Sequence, residues 1–411
     1  MHAVLTAVGS HGDVLPVVGL GRALAARGHR VTVMTNPYFR QLVEGAGLEL
    51  APIGTAEQYT AATTDPELWH PQRALRVVVR RAVLPGMRPA YDYLAGLDPA
   101  RTVVAASALA LGARLAQERL GMRLATVHLQ PSLFLSAHDN AELGGLPSPD
   151  WLPTAVQELR LRAVERVFLD PLLAPGLNAF RGELGLPPVR SVLRRWIHSP
   201  QRVIGLFPEW FAPPQPDWPP QTVLTGFLDE RAGATALDPA LQAFLDDGAP
   251  PLVVTAGSAM RQGAALFRAA VHAARRLGRR AVLLTGYPEQ LPDPLPAGMH
   301  HVTWAPLPQL LPRAAALVHH GGIGTSAQGL RAGVPQLVVP FSHDQPDNAN
   351  RLRALGVADR FDPHRLTEDR LAVSLDRLLR DAETRRRCAR CAARVDMEAA
   401  ADQTCRLIEA L

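Results

Sequence analysis

Short apolar runs that end in a glycine-bearing loop and lead into a helix-length stretch recur along this chain. That grammar constrains its fold more than any other feature. Residues 1–8 read as a strand, GSHGDVLP as a loop, 17–27 as a helix closed by Gly28, and HRVTVMT as a second strand. Strands fit at 102–106 and 124–128 with a helix at 108–120 between them, and 152–186 reads as mostly helical with breaks at Pro171 and Pro175. The grammar restarts with PPLVVTAGS, a helix over 263–277, and AVLLTG. HHVTWAPL, AAALVHHGG and PQLVVPFSHDQ continue it. Strands alternating with helices predict an α/β fold built on parallel sheets covered on both faces.

A chain of 411 residues is too long for one ordinary core, so two domains are expected. FPEWFAPPQPDWPPQTVLTGF, dense in proline and tryptophan, reads as a semi-rigid linker. The expected organisation is a first domain at 1–206, a linker at 207–227, a second domain at 228–385, and a C-terminal helix at 386–411 crossing back to the first domain. Two such domains with a cleft between them suit a reaction joining two substrates. Hydrophobic residues make up 47% and charged residues 20%, the balance of a globular protein. The net charge is +5 and every basic residue is arginine, scattered without the aromatic interleaving of single-strand binders. Nucleic acid is therefore not an expected partner, whereas an anionic ligand suits the excess. Cys388, Cys391 and Cys405 form no disulfide framework, and one C-x-x-C without a second pair is no metal site. The chain opens on a strand rather than a signal peptide and holds no membrane-length apolar run, so a cytoplasmic location is expected.

The second half carries the most specific chemistry. GGIGTS precedes a helix over 327–332; its backbone amides, with Gly322 and Gly324 allowing close approach and Thr325 adding a hydroxyl, suit a diphosphate. An imidazole from His319 or His320 would bond the phosphates, but both cannot face one ligand if the strand persists. Ser258, after Gly257, would close the pocket from another strand end. Trp304, followed by Ala305, offers a flat wall for a base. Asp344 and Gln345 offer paired groups for adjacent sugar hydroxyls.

The order WAP, HHGG-x-GT, GVP and DQ-x-x-N resembles the donor-site signature of family 1 glycosyltransferases of the GT-B fold. The resemblance implies that His320 holds the phosphate and that Gln328 occupies the ribose-binding position, where a glutamate is usual. An amide is a poorer double acceptor than a carboxylate, so Gln328 favours a deoxyribose and hence a dTDP-sugar over a UDP-sugar. In the first half, VGSHGDVLP matches the loop in which the family places its general base. Asp13, three residues before Pro16, takes that role by resemblance, with His11 as the other candidate. Burial would raise an aspartate toward a useful base.

MHAVLTAVGSHGDVLP, SALALGAR, PSLFLSAH, WIHSPQRVIGLFPEWFAPPQPDWP and HDQPDNANRL resemble, more narrowly, the rhamnosyltransferases of bacterial rhamnolipid biosynthesis. This implies an inverting, metal-independent transfer of L-rhamnose from dTDP-L-rhamnose to a 3-(3-hydroxyalkanoyloxy)alkanoate, with no other cofactor. An acyltransferase supplying that lipid would be a partner. Segment 74–94 puts Leu75 and Val79 on an apolar stripe beside arginines, a wall for acyl chains and a contact for the inner membrane surface; His128 and Phe134 are further acceptor-side candidates. A sterol or a polyketide or macrolide is the alternative acceptor, and a catalytically silent GT-B subunit is the alternative of another class. Oligomeric state is left open.

Overall fold

Residues Ala3, Leu5, Val103, Ala105, Ala125 and Val127 share one apolar cluster, while Val4, Val104, Ala106 and Leu124 belong to another. That even–odd split is the period of a strand buried on both faces, and it organises the first half of the protein. The structure is a computed structural model and describes residues 1–139, 142, 151–229 and 236–411. It divides into two units, Met1–Gly233 with Met397–Leu411, and Ala234–Asp396.

The first unit holds β1 (His2–Thr6), β2 (Arg30–Thr35), β3 (Glu49–Pro52), β4 (Thr102–Ser107), β5 (Arg123–His128), β6 (Arg202–Gly205) and β7 (Thr222–Leu224). All pair in parallel, in the order β3-β2-β1-β4-β5-β6-β7. Helix His11–Ala26 and the C-terminal helix Met397–Glu409 supply Leu20, Leu24, Cys405 and Ile408 to one covering layer. Helices Leu84–Ala95 and Leu111–Leu120 supply Met87, Leu94, Leu111 and Leu115 to the other. Arg27 and His29 also bridge to Glu409 at 2.7 Å, tying the chain's last helix to its first.

The second unit holds β8 (Leu252–Thr255), β9 (Ala281–Leu284), β10 (Met299–Val302), β11 (Ala316–His319), β12 (Gln336–Val338) and β13 (Ala358–Arg360). They form a parallel sheet in the order β10-β9-β8-β11-β12-β13. Helices Ala264–Arg276 and Glu368–Arg380 pack against each other within this unit. Each sheet reverses its winding direction beside its first strand, at β1/β4 and at β8/β11. Open parallel sheets bind ligands at such points.

Three expectations are corrected. Segment 207–227 is no spacer: β7 extends the first sheet, and Phe207, Phe211, Trp218 and Phe227 are buried in the first unit. Its prolines stiffen the chain, but its aromatic rings need a core. Asp217 staples it further, accepting from Ser136 Oγ (2.6 Å) and the Ala137 amide (2.7 Å). The C-terminal helix is two helices, Ala382–Ala392 in the second unit and Met397–Glu409 in the first, so the second unit runs past 385. Pro171 and Pro175 do not break their region, because a π-turn over Glu165–Leu169 precedes helix Asp170–Glu183, which carries both.

Gly112 sits where helices Leu84–Ala95 and Leu111–Leu120 pack against each other. A Cβ there would stand 2.2 Å from the Met87 carbonyl oxygen and 2.9 Å from Ala90 Cβ. Backbone cannot yield as a side chain does, so Gly112→Ala is expected to cost about 1–3 kcal/mol. Urea unfolding should show a lower midpoint with an unchanged slope.

Candidate functional site

In the first unit, the loop after β1 turns sharply into a helix. Ser10 is the N-cap of helix His11–Ala26, which starts six residues earlier than the sequence pattern suggested. Asp13 therefore lies in the first turn, and its Oδ2 accepts from the Ser10 amide at 2.7 Å and faces Ser10 Oγ at 3.3 Å. Gly9, at φ +143°, is required here: a Cβ would fall 2.1 Å from that same oxygen. Enclosure of the carboxyl pushes its pKa up to about 6, against the lowering effect of the Ser10 bonds. His11 packs edge-on against Phe39 (4.9 Å) and Tyr38 (5.9 Å). Burial lowers its pKa, and its Nδ1 is buried without a hydrogen-bond partner. The loop thus holds a carboxyl poised near neutrality and a neutral imidazole, both at the sheet's switch point.

In the second unit, strand alternation separates the two histidines. His319 is fully buried, and its Nδ1 accepts from the Gly321 amide at 3.2 Å. Burial holds its pKa at about 3. It belongs to the interior, which corrects its placement among the phosphate ligands. His320, with its ring 88° from that of His319, lies between two glycines instead. A Cβ on Gly257 would meet its ring at 2.9 Å, and one on Gly322 would stand 2.5 Å from Nε2. These contacts bring the ends of β8 and β11 together around one imidazole. Burial, helped by nearby His343, lowers the His320 pKa to about 4. Without a ligand the ring is therefore neutral, a hydrogen-bond donor rather than a counter-charge.

Helix Ile323–Ala332, with Gly322 as its N-cap, begins four residues before the predicted start. Gly324 and Thr325 consequently sit in its first turn, where amides have no intrahelical acceptor and no side chain caps them. Ser258 is exposed at the end of β8. Trp304 is 56% exposed, an indole outside the core, whereas Ala305 is buried in a cluster with Leu310 and Leu317 and offers its side chain to no ligand. Gln328 is only 2% exposed, and neither its Oε1 nor its Nε2 has a hydrogen-bond partner. Such an amide is costly unless something bonds it.

The Asp344–Gln345 pair divides into different tasks. Gln345 is buried, and its Oε1 accepts from the amides of Phe341 (2.8 Å) and Ser342 (3.2 Å), so it shapes its own loop. Asp344 is half-buried and accepts from Asn348 Nδ2 at 2.6 Å. Asn348 is fully buried and also donates to the Gly321 carbonyl at 2.9 Å. One amide thus joins the glycine loop to the carboxylate. The pattern DQ-x-x-N includes this asparagine, but its spacing alone gave it no role. His343, at φ +61° and near His320, was also missed, because a strained non-glycine backbone leaves no trace in sequence.

The acceptor-side candidates are mostly interior. Val79 is fully buried in the core cluster and Leu75 packs against it, so the stripe of 74–94 is a core face and not a pocket wall. His128 is buried with neither ring nitrogen partnered, 4.2 Å from the ring of Phe134, which in turn stacks on Trp218 at 4.0 Å. Burial beside His198 holds His128 neutral. Phe134 lines a cavity of about 410 Å³ with Leu135 and Ala137, and the rest of its lining is largely charged, Glu158, Arg162, Arg194 and Asp217 among it.

Comparison with known proteins gives this arrangement a class. Residues 3–137 match the glycosyltransferase family 28 N-terminal domain, and 283–409 match the erythromycin biosynthesis protein CIII-like C-terminal domain. The chain is 34% identical over 434 residues to O-mycaminosyltylonolide 6-deoxyallosyltransferase of Streptomyces fradiae, covering 100% of this chain and 97% of that one. Its fold resembles the solved glycotransferase of kitacinnamycin, with a TM-score of 0.76 at 24% identity over 100% of this chain and 98% of the other. It likewise resembles the spinosyn rhamnosyltransferase SpnG complexed with thymidine diphosphate, with a TM-score of 0.69 at 19% identity over 98% and 99%. Two Rossmann-like parallel-sheet units of this kind define a GT-B protein. The chain belongs to the family 1/28 group of GT-B glycosyltransferases and is an enzyme of that class.

The Asn348 bridge has a measurable consequence. Asn348→Ala strips the Gly321 carbonyl and the Asp344 carboxylate of a buried donor, an expected loss of about 1–3 kcal/mol in unfolding free energy. Asn348→Asp sets two carboxylates side by side, which raises their pKa in the folded state. Its stability relative to wild type should therefore be highest at acid pH and fall as pH rises, whereas the deficit of Asn348→Ala should stay constant. Denaturant unfolding at about pH 5 and about pH 8 separates the two.

Proposed function

We propose that the chain transfers a 6-deoxyhexose from a dTDP-activated donor to a hydroxyl of a polyketide- or macrolide-type aglycone, with inversion. The observation that carries this reading is the full-length 34% identity to a relative named for 6-deoxyallosyl transfer onto O-mycaminosyltylonolide. It supports the alternative acceptor over the hydroxyalkanoyloxyalkanoate. L-Rhamnose stays within the proposed donor class, and the name of the spinosyn rhamnosyltransferase, together with its thymidine diphosphate, is consistent with it.

In this reading the second unit holds the donor. Amides of Ile323, Gly324 and Thr325 take the diphosphate at the positive end of their helix. Neutral His320 donates a hydrogen bond, Ser258 adds a hydroxyl, and the exposed Trp304 stacks on the thymine. The unpartnered amide of Gln328 meets the single ribose hydroxyl that a deoxyribose offers at that position. Asp344, oriented by Asn348, accepts from the sugar. In the first unit, Asp13 takes the proton of the acceptor hydroxyl. The acceptor oxygen forms a bond to the anomeric carbon from the face opposite the diphosphate, and the carbon–oxygen bond to dTDP breaks with its electron pair. Phe134, with Leu135 and Ala137, is the proposed apolar contact for the aglycone, in a cavity whose other lining residues, Glu158, Arg162, Arg194 and Asp217 among them, are polar and would meet its hydroxyls. No metal is assigned to any step.

The base makes the reading testable. A carboxyl raised to about 6 is active only when ionised, so kcat/KM should climb with pH and level off above about 6. Asp13→Asn should lose about 10²–10⁴-fold in kcat along with that rising limb. His320→Ala should instead raise the donor KM by about 10- to 100-fold, the equivalent of one hydrogen bond to a charged group. The assay follows dTDP release and product mass with a macrolide aglycone, a sterol and a hydroxyalkanoyloxyalkanoate. Transfer to the lipid alone would overturn the proposed acceptor, and donor binding without transfer to any of them would point to a silent subunit.

A further inference from the structure

Helix Thr154–Val164 and the π-turn Glu165–Leu169 that continues it are amphipathic the wrong way round. Gln157 and Glu165 are buried, while Val156, Leu159, Val167 and Phe168 are exposed, Leu159 by 68% and Phe168 by 65%. Val156, Leu159, Ala163 and Val167 follow each other at intervals of three and four, one stripe along one face. Trp151, 80% exposed, stands just before the stripe begins. Within a soluble fold such a stripe ordinarily turns inward, and a contiguous exposed one marks a surface that something else covers.

The inward polar groups explain why this helix does not simply roll over. Glu158 is held by Arg194 at 2.7 Å, and Glu165 accepts from Ser191 Oγ at 3.0 Å. Asp170, just beyond the turn, accepts from the amides of Ser191 and Val192 at 2.9 and 3.0 Å. Turning the stripe inward would break these bonds and leave buried carboxylates unpaired. The outward apolar face is therefore locked in place.

Charge is sorted along the same axis. Of the segment's two carboxylates Glu165 is buried and Glu158 is half-buried between Arg194 and Arg162, whereas Arg162 and Arg166 are exposed, and Arg160 is half-buried. Among the described residues the outer surface is thus apolar side chains with arginines beside them, Arg166 exposed and Arg162 paired with Glu158 at 2.7 Å, and a tryptophan at one end. That pattern fits the boundary between acyl chains and anionic headgroups, where aromatic and aliphatic groups enter and guanidiniums stay at the phosphates. A protein partner of mixed charge would not require the carboxylates to be withdrawn.

We propose that the face carrying Trp151, Leu159, Val167 and Phe168 docks the protein on an anionic lipid surface, peripherally and without spanning it. Among the described residues no helix is long and apolar enough to cross a membrane, so the contact is a surface one. The face is distinct from the segment 74–94 that the sequence suggested for membrane contact, and the inference does not depend on which acceptor the enzyme uses.

The test is co-sedimentation of the full-length protein with vesicles of phosphatidylcholine alone or of phosphatidylcholine with phosphatidylglycerol. Wild type should bind the anionic vesicles and lose binding as salt rises. Leu159→Asp and Phe168→Asp should each lower that binding by about tenfold or more, and Arg166→Glu by about fivefold. All three should keep the wild-type melting temperature and transfer to a water-soluble acceptor. Equal binding to both vesicle types would overturn the anionic component. Absence of vesicle binding would overturn the proposal altogether. If gel filtration then showed a dimer that Leu159→Asp dissociates, the face would belong to a second copy of the chain.

Discussion

Parallel pairing of β1 between β2 and β4, and of β8 between β9 and β11, is the constraint from which the rest follows. A parallel strand cannot be reached by a hairpin, so each neighbour is joined through a crossover. Where successive crossovers go to opposite sides, the loops at the strand ends part and backbone amides become accessible. Both candidate site loops, Gly9–Asp13 and His320–Thr325, grow from the first strand on one side of such a point. The glycines there serve this geometry. Gly9 makes room for the Asp13 carboxylate, and Gly257 with Gly322 makes room for the His320 ring.

The electrostatics of the two loops differ for one shared reason. Both enclose a titratable group, and enclosure disfavours whichever form is charged. For Asp13 this pushes the pKa up toward the range of a useful base; for His320 it pushes the pKa down and leaves a neutral donor. The same physical effect therefore suits a proton acceptor in one unit and a neutral hydrogen-bond donor in the other. Asn348 extends the argument from charge to position, since one buried amide bonds both the glycine loop and the Asp344 carboxylate.

Much of this is legible in the amino-acid sequence. The alternation of apolar runs with helix-length stretches announces two parallel α/β units, and the order of WAP, HHGG-x-GT and DQ carries the resemblance to a donor site. The failures cluster where a side chain's surroundings come from distant sequence. Val79 looked like pocket wall because its stripe was visible, but the core it shares with Val4, Val104 and Leu173 was not. Segment 207–227 looked like a spacer because its prolines stand out, whereas the partners of its aromatic rings, Phe134 for Trp218, lie 84 positions away. His319 and His320 could not be told apart until the strand was known to end between them.

Sequence by itself determined the class of fold, which depends on local period, and through short motifs it carried the family resemblance that implies the donor-site signature and the Asp13 candidate. Tertiary structure decided which of those residues are reachable and in what charge state. Reach and charge depend on burial, and burial is set by elements far apart in the chain. It alone exposed Trp304, withdrew His319 and Ala305, bound Gln345 to its own loop, and turned the stripe of Val156, Leu159 and Val167 outward by holding Glu158 and Glu165 within.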